Sequence, residues 1–171
     1  TTLAATGQEH YHELFRPLTP GFVHVPANDF ETLTKTALET NAAGIMMEIV
    51  QGEGGVLPLR EDFVKQTAAF AKDNDIPLII DEVQTGNGRS GALYAYMNYD
   101  IQPDIVSTAK GIGGGLPLGA VLFGEKTQSV LGAGDHASTF GGNPVCCAGA
   151  VSIISRIDEP LLEQVREKSE K

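Results

Sequence analysis

The chain has 171 residues, and 42% of them are hydrophobic, which is enough to bury the core of one ordinary domain. Acidic residues outnumber basic ones by 22 to 12, giving a formal charge of −10, and no cluster of Lys and Arg could neutralise a row of phosphates. No apolar run reaches the roughly 18 residues of a membrane span. We therefore expect a cytoplasmic protein that binds neither nucleic acid nor membrane.

The pattern of the first forty residues predicts two helices and does not favour a metal site. Tyr11, Leu14 and Phe15 fit one face of a short helix, and Asn28 begins a pattern typical of the N-terminus of a second helix. His10 and His12 would share one face of a strand as possible metal ligands. No further His or Cys lies nearby, so a solvated pair is the favoured interpretation.

Two apolar runs predict neighbouring strands of a buried sheet. Residues 43–50 form the first run, interrupted only by Glu48, whose carboxylate needs a partner. An amphipathic helix is predicted from about 60 to 74, and the run 76–80 then stops abruptly at Asp81. A strand, a helix and a strand at this spacing imply a right-handed crossover and a parallel pair.

A third predicted strand, 104–108, is followed by Ala109, Lys110 and several glycines that let the backbone bend tightly. In open α/β sheets the carboxyl ends of the strands line the ligand crevice. Asp81 and Lys110 are therefore expected to face one bound molecule from neighbouring strand ends.

The remaining third of the chain predicts one more strand, at 119–123, a loop of small residues at 132–143, and a helix running to 157. This helix is apolar nearly all round, so we expect it to be buried, with Cys146 and Cys147 as reduced, packed thiols. The tyrosines of a short predicted helix, 93–99, are expected to pack with their hydroxyls exposed. A final helix is still running where the sequence stops, which indicates a piece of a longer chain.

The lysine and aspartate suit a particular chemistry. A desolvated lysine amine can attack a carbonyl to form a Schiff base. An aspartate in the same cavity supplies the anion that pairs with the protonated pyridine nitrogen of pyridoxal phosphate (PLP). A capping role for Asp81 and a surface role for Lys110 stay open on spacing alone.

Three ordered motifs resemble class III PLP-dependent aminotransferases: residues 78–86 (LIIDEVQTG), 108–111 (TAKG) and 138–144 (STFGGNP). The resemblance covers essentially the whole chain. It implies an α/β fold, the large domain of a fold-type-I PLP-dependent transferase, with a mostly parallel sheet flanked by helices. Residues 1–171 would be the incomplete central part of that domain, with the N-terminal segment and the C-terminal small domain lying outside it.

The resemblance also implies roles for single residues around the cofactor. Lys110 would form the Schiff base and act as the base in proton transfer, and Asp81 would pair with the pyridine nitrogen. Val83 would pack beneath the cofactor ring, and Gln84 would hydrogen-bond near its phenolic oxygen.

Four further side chains receive expectations from the same resemblance. Ser138 and Thr139 would reach the cofactor phosphate of the neighbouring subunit, which implies a homodimer. Glu53 would lie on the substrate side, where it masks the arginine that binds the substrate carboxylate, and Glu48 would be a structural carboxylate at the edge of the site.

The implied reaction is transfer of the terminal amino group of N-acetylornithine, or of a similar ω-amino donor, to 2-oxoglutarate in arginine biosynthesis. Residues 20–22 (PGF), 26–29 (PAND) and 48–55 (EIVQGEGG) favour that branch of the family. Ornithine and 4-aminobutyrate remain alternative donors. A core fragment that folds without cofactor is a further alternative, and residues 1–171 alone are expected to be inactive.

A nucleotide-hydrolysing protein is the main competitor from outside this family, because an apolar strand ending in Asp-Glu also describes a Walker B segment. The phosphate-binding half of such a site, G-x-x-x-x-G-K-S/T, is absent from the sequence. The nearest approach, Gly124-Glu125-Lys126-Thr127, has Glu where the second glycine should stand. The sequence therefore favours the aminotransferase.

Overall fold

The computed structural model describes residues 1–170, with a mixed four-stranded sheet at its centre. The strands are β1 (Ile45–Met47), β2 (Val50–Gln51), β3 (Leu57–Pro58), β4 (Leu78–Asp81), β5 (Ile105–Thr108) and β6 (Ala120–Phe123). The helices are α1 (Thr2–Ala5), α2 (Glu9–Leu14), α3 (Phe30–Glu39), α4 (Glu61–Asp73), α5 (Pro144–Ile154) and α6 (Glu159–Ser169). Two 3-10 turns, Ala95–Tyr99 and Lys110–Gly113, complete the regular structure of these residues.

The central sheet has the strand order β1-β4-β5-β6. The predicted parallel pair is confirmed, since Ile45 of β1 lies opposite Leu78 of β4. Strand β5 is also parallel to β4, whereas β6 runs antiparallel to β5. The fold is thus a mixed α/β sheet that is mostly parallel and flanked by helices, as expected.

The prediction of one strand over 43–50 is wrong, because the run divides into two strands in different sheets. Strand β1 ends at Met47, and β2 pairs antiparallel with β3 in a separate hairpin. Between them Ile49 is fully buried, and its carbonyl accepts a hydrogen bond from the Leu59 amide at 2.9 Å. Apolar residues are therefore buried both in the bend and in the strands, so hydrophobicity alone does not distinguish a buried bend from a strand.

The core lies where α3 and α4 pack against β1 and β4. Phe63, Val64 and Ala71 of α4 are buried on one helical face, as is the hydroxyl-bearing Thr67. Asp29 caps α3 with a hydrogen bond from the Thr32 amide to its carboxylate at 3.0 Å. These helices therefore cover β1 and β4 and stabilise the part of the sheet that leads to Asp81.

Helix α5 departs from the prediction that it is buried. Within residues 1–170 only Cys146 and Ala150 of this helix are buried, while Val145 and Val151 are 66% and 68% exposed. Cys147 is exposed as well, so the expectation of two packed thiols holds only for Cys146. The helix packs along one side against the Lys110–Gly113 turn.

The aromatic segment confirms packing but corrects one detail. The rings of Tyr94 and Tyr96 stack with centroids 5.9 Å apart, and Tyr96 and Tyr99 pack against the core. Tyr94 is only 6% exposed, so its side chain is enclosed and its hydroxyl is not exposed as predicted. Burial raises the pKa of this hydroxyl. None of the helices in the described residues is both long and apolar enough to cross a membrane.

Candidate active site

The candidate site lies at the carboxyl ends of β4 and β5. Asp81 is the last residue of β4 and pairs in register with Ser107 of β5. Lys110 begins the turn that follows β5. Because the two strands are parallel and adjacent, both residues lie at the same edge of the sheet, where α/β proteins bind their ligands.

The backbone of Lys110 is strained. Its φ angle is +49°, in the left-handed region that residues with a Cβ seldom occupy. Such conformations persist only where the surrounding structure holds them, and they concentrate at functional sites. Although Lys110 is exposed, its strained backbone indicates that neighbouring residues fix its position.

Lys110 is joined to the loop that follows β4, because its Nζ donates a hydrogen bond to Gln84 Oε1. Gln84 in turn lies against Gly52, in the loop that follows β2: a Cβ at Gly52 would lie 2.5 Å from Gln84 Cγ. Glycine at this position therefore permits the close approach of the two loops. The loops after β2 and β4 and the turn after β5 therefore meet at Gln84, which accepts the hydrogen bond from the lysine amine.

An open cleft of about 270 Å³ lies beside this group. Val83, Gln84, Asn87, Lys110 and Gly111 line it, together with side chains from α6. Asp81 is not among the lining residues. The cleft brings together three of the predicted cofactor residues, Lys110, Gln84 and Val83, with Asp81 at the strand end behind them.

The two adjacent carboxylates of the strand end have different surroundings. Asp81 is half-buried, and its Oδ1 accepts a hydrogen bond from the Val83 amide at 2.8 Å. Glu82 is fully buried: Oε1 accepts from the Tyr96 amide at 2.9 Å, and Oε2 accepts from the Thr85 hydroxyl. Neighbouring strand residues face opposite sides, so Glu82 is turned into the protein and holds the loop. The sequence reasoning had missed this role.

The predicted substrate-side carboxylates both have partners. Glu48 Oε2 accepts a hydrogen bond from the Gly52 amide at 3.1 Å, which supplies the partner its place in an apolar run demands. Glu53 accepts hydrogen bonds from Tyr11 Oη at 2.6 Å and Gln8 Nε2 at 2.9 Å. The bond from Tyr11, then that from Gln8, lowers the pKa of the Glu53 carboxyl, and the charge of Lys110 acts in the same direction. Tyr11 and Gln8 had no signal in the sequence beyond their polarity.

Ser138 and Thr139 are not brought to the cleft. They lie in a segment, 131–140, in which every residue is exposed, and neither lines the cavity beside Lys110. Their place in the structure leaves them facing outward from this chain.

The histidine pair lies on α2 and not on a strand. His12 is buried, with Nε2 2.7 Å from the carbonyl oxygen of Thr6, so the expectation of a solvated pair is wrong for this residue. In the described part of the chain no group of three or more His, Cys, Asp or Glu side chains is arranged to hold a metal ion.

The donor set fits PLP. The cofactor requires an amine for its aldehyde, an anion for its pyridine nitrogen and a polar group near its phenolic oxygen. Lys110, Asp81 and Gln84 supply these three groups at one edge of the sheet, and Val83 adds an apolar surface.

Solved structures that resemble this chain include ornithine and N-acetylornithine aminotransferases. Ornithine aminotransferase from Toxoplasma gondii, crystallised with partial occupancy of PLP at its active site, superposes with a TM-score of 0.86 at 32% identity; the match covers 97% of this chain and 38% of that one. N-acetylornithine aminotransferase from Stenotrophomonas maltophilia K279a gives a TM-score of 0.79 at 33% identity, covering 90% and 40%.

The family model for class-III aminotransferases matches residues 1–171. The chain therefore belongs to the class III aminotransferase family, which confirms the resemblance carried by the three motifs, and enzymes of this class depend on PLP. Acetylornithine aminotransferase of Haemophilus ducreyi is 44% identical over 171 residues, which are 100% of this chain and 44% of that protein. The chain thus spans less than half the length of this relative.

The contact between Gly52 and Gln84 leads to a prediction. In Gly52→Ala the new methyl group would lie 2.5 Å from Gln84 Cγ, so Gln84 must move and its bond to Lys110 must weaken. We expect the side-chain amide resonance of Gln84 to shift in an NMR spectrum of the full-length protein. Gly54→Ala is the matched control, because its nearest contact would be an ordinary 3.5 Å. An unmoved Gln84 resonance in Gly52→Ala would contradict the close approach.

Proposed function

We propose that the full-length protein containing this chain is a PLP-dependent aminotransferase that moves the terminal amino group of N-acetylornithine to 2-oxoglutarate, in arginine biosynthesis. Support for the reaction comes from membership of the class III family, and support for the donor comes from the 44% identity to the H. ducreyi enzyme over the whole chain. The observation that carries the site is the strained Lys110, hydrogen-bonded to Gln84 at the sheet edge that Asp81 shares.

Ornithine is the second candidate donor. The structural match to T. gondii ornithine aminotransferase, at a TM-score of 0.86, supports it. N-acetylornithine differs from ornithine in lacking a free α-amino group, so the side chains near that group decide between them. Glu53 is the proposed substrate-side carboxylate in this chain. Its hydrogen bonds from Tyr11 of α2 and from Gln8, which precedes that helix, hold it in a defined position and lower its pKa.

PLP, when bound, supplies an electron sink for the carbon that loses and gains a proton. The residues of this chain hold it and move that proton. Lys110 Nζ would hold the cofactor at its aldehyde carbon and would act as the base that moves the proton. Asp81 would favour the protonated pyridine nitrogen. Val83 would support one face of the ring, and Gln84, which accepts from Lys110, would lie at the phenolic side.

The proposed assembly is a cytoplasmic homodimer in which Ser138 and Thr139 complete the partner's cofactor site. The outward-facing position of segment 131–140 supports this role, because its small polar residues bury nothing against their own chain. A two-fold dimer would place each segment at the other subunit's site.

The central experiment locates the attachment point. The full-length apoprotein is mixed with PLP, reduced with borohydride and digested, and the labelled lysine is identified by mass spectrometry. We expect the label on Lys110 and its loss in Lys110→Ala, since the Lys110 amine is bonded to Gln84 and lies beside the cleft. Lys126→Ala is the control, because Lys126 pairs instead with Asp75 at 2.6 Å. A label on Lys126 or Lys72 would contradict the proposal, and no label on any lysine would favour a core that folds without cofactor.

A second prediction separates binding from chemistry. Asp81→Asn keeps an oxygen for the Val83 amide but removes the charge, so attachment of PLP should persist while turnover falls about a hundredfold or more, at about 1.4 kcal/mol for each tenfold change. Asp104→Asn is the matched control: its carboxylate also accepts a backbone amide, from Leu78 at 2.8 Å, but at the amino end of β5. Steady-state kinetics within threefold of wild type for Asp81→Asn would make Asp81 structural.

A third prediction tests the dimer. Thr139→Ala should weaken PLP affinity roughly ten- to a hundredfold, because it removes one hydrogen bond to a charged phosphate, a loss of about 1.5–3 kcal/mol. Subunit mass in solution should stay that of a dimer by light scattering. Ser129→Ala, another exposed hydroxyl, is the control. Equal affinity in Thr139→Ala and wild type would mean that the hydroxyl does not reach a phosphate.

A further inference from the structure

Asn87 makes two hydrogen bonds to the end of β5. Its Nδ2 donates to Thr108 Oγ1 at 3.1 Å and to the Ala109 carbonyl at 3.2 Å. These are the two residues immediately before Lys110. A side chain from the loop after β4 is therefore bonded to the backbone from which Lys110 projects.

The orientation of the Asn87 amide follows from its partners. A backbone carbonyl can only accept, so the group facing Ala109 must be the NH₂ and not the oxygen. Oδ1 then points the other way, where it is buried and has no hydrogen-bond partner within residues 1–170. Burying an unpaired carbonyl oxygen costs free energy. An apolar residue would avoid that cost, so the donor end of Asn87 is the useful part of this side chain.

The two loops each contain a residue with a left-handed backbone. Asn87 has a φ of +57° and Lys110 a φ of +49°, so each lies in the left-handed region. Asparagine adopts this conformation more readily than most residues, whereas lysine does not. A Cβ at Gly111 would lie 3.4 Å from Asn87 Cβ, which shows how closely the loops approach.

The Ala109 carbonyl connects Asn87 to the shape of the lysine turn. Besides the Asn87 amide, it accepts a hydrogen bond from the Ile112 backbone N–H at 3.2 Å, which closes the 3-10 turn that starts at Lys110. Ile112 itself is buried. Asn87 thus stabilises the acceptor on which the turn depends, and so opposes relaxation of Lys110 out of its strained conformation.

We propose that Asn87 is a positioning residue that holds Lys110 in its left-handed conformation and aims its amine into the cleft. Asn87 and Lys110 line the same cleft, together with Gln84, which accepts from the amine. The functional consequence rests on the proposed role of Lys110 as the attachment point of PLP. The structural consequence, a tie between the two loops, does not.

Two variants of the full-length protein separate the effect of the Asn87 hydrogen bond from the effect of its backbone conformation. Asn87→Asp preserves the shape of the side chain and its tolerance of positive φ, but it cannot donate to Ala109. Asn87→Gly removes the side chain and relieves the backbone. Asn41→Gly is the matched control, since Asn41 also has a positive φ, of +50°, and is exposed in the connection between α3 and β1.

The first readout is the rate at which PLP labels Lys110 in the apoprotein, trapped with borohydride at timed intervals. The amine forms a C–N bond with the aldehyde carbon, the aldehyde oxygen leaves as water, and borohydride then reduces the C=N bond. We expect Asn87→Asp and Asn87→Gly each to slow labelling of Lys110 about tenfold. Labelling of Lys72 and Lys126 should be unchanged, and Asn41→Gly should match wild type.

The second readout needs no cofactor. Hydrogen exchange of the Ile112 amide should be about tenfold faster in both Asn87 variants and unchanged in Asn41→Gly, while thermal unfolding shows that each variant is folded. Wild-type labelling and exchange rates in both Asn87 variants would overturn the inference. Absence of a label on Lys110 in the wild type would instead overturn the proposed function, and the exchange rates would still decide whether Asn87 ties the turn.

Discussion

The parallel pairing of β4 with β5 is the constraint on which the candidate site depends. It places Asp81 opposite Ser107, and the chain then needs only a short step to reach Lys110. Parallel neighbours bring successive strand ends to one edge, whatever the length of the connection between them. The intervening segment of more than twenty residues is therefore free to supply Gln84 and Asn87, both of which return to contact the lysine turn.

The lysine turn is a strained element held from two sides. The left-handed backbone of Lys110 is unfavourable by itself, and residues in such conformations persist where neighbours hold them. Gln84 accepts from the amine, and Asn87 donates to the carbonyl just before it. Gly52 allows the third loop to close against Gln84. The result is an amine held beside an open cleft, which suits the proposed attachment of a cofactor and the proposed transfer of a proton.

The carboxylates around the cleft differ in how deeply they are buried and in which groups donate hydrogen bonds to them. Glu82 is fully buried and satisfied by Thr85 and Tyr96, so it stabilises the loop. Asp81, one residue earlier, is half-buried at the strand end, and Glu53 is exposed, with its pKa lowered by hydrogen bonds from Tyr11 and Gln8. Residues of one chemical type thus take structural and functional roles according to which face of the strand they occupy and whether backbone donors reach them.

Local sequence determined the strands that end at Asp81 and Thr108, the helix between β3 and β4, and the family, because apolar runs, amphipathic periods and ordered motifs are short-range properties. Only the tertiary structure decided that 43–50 bends into two sheets, that α5 exposes Val145 and Val151, and that Asn87 donates to the carbonyl just before Lys110. The reason is physical: an apolar residue is equally favourable in a strand or a buried bend, and burial and hydrogen bonding depend on which distant residues the fold brings into contact.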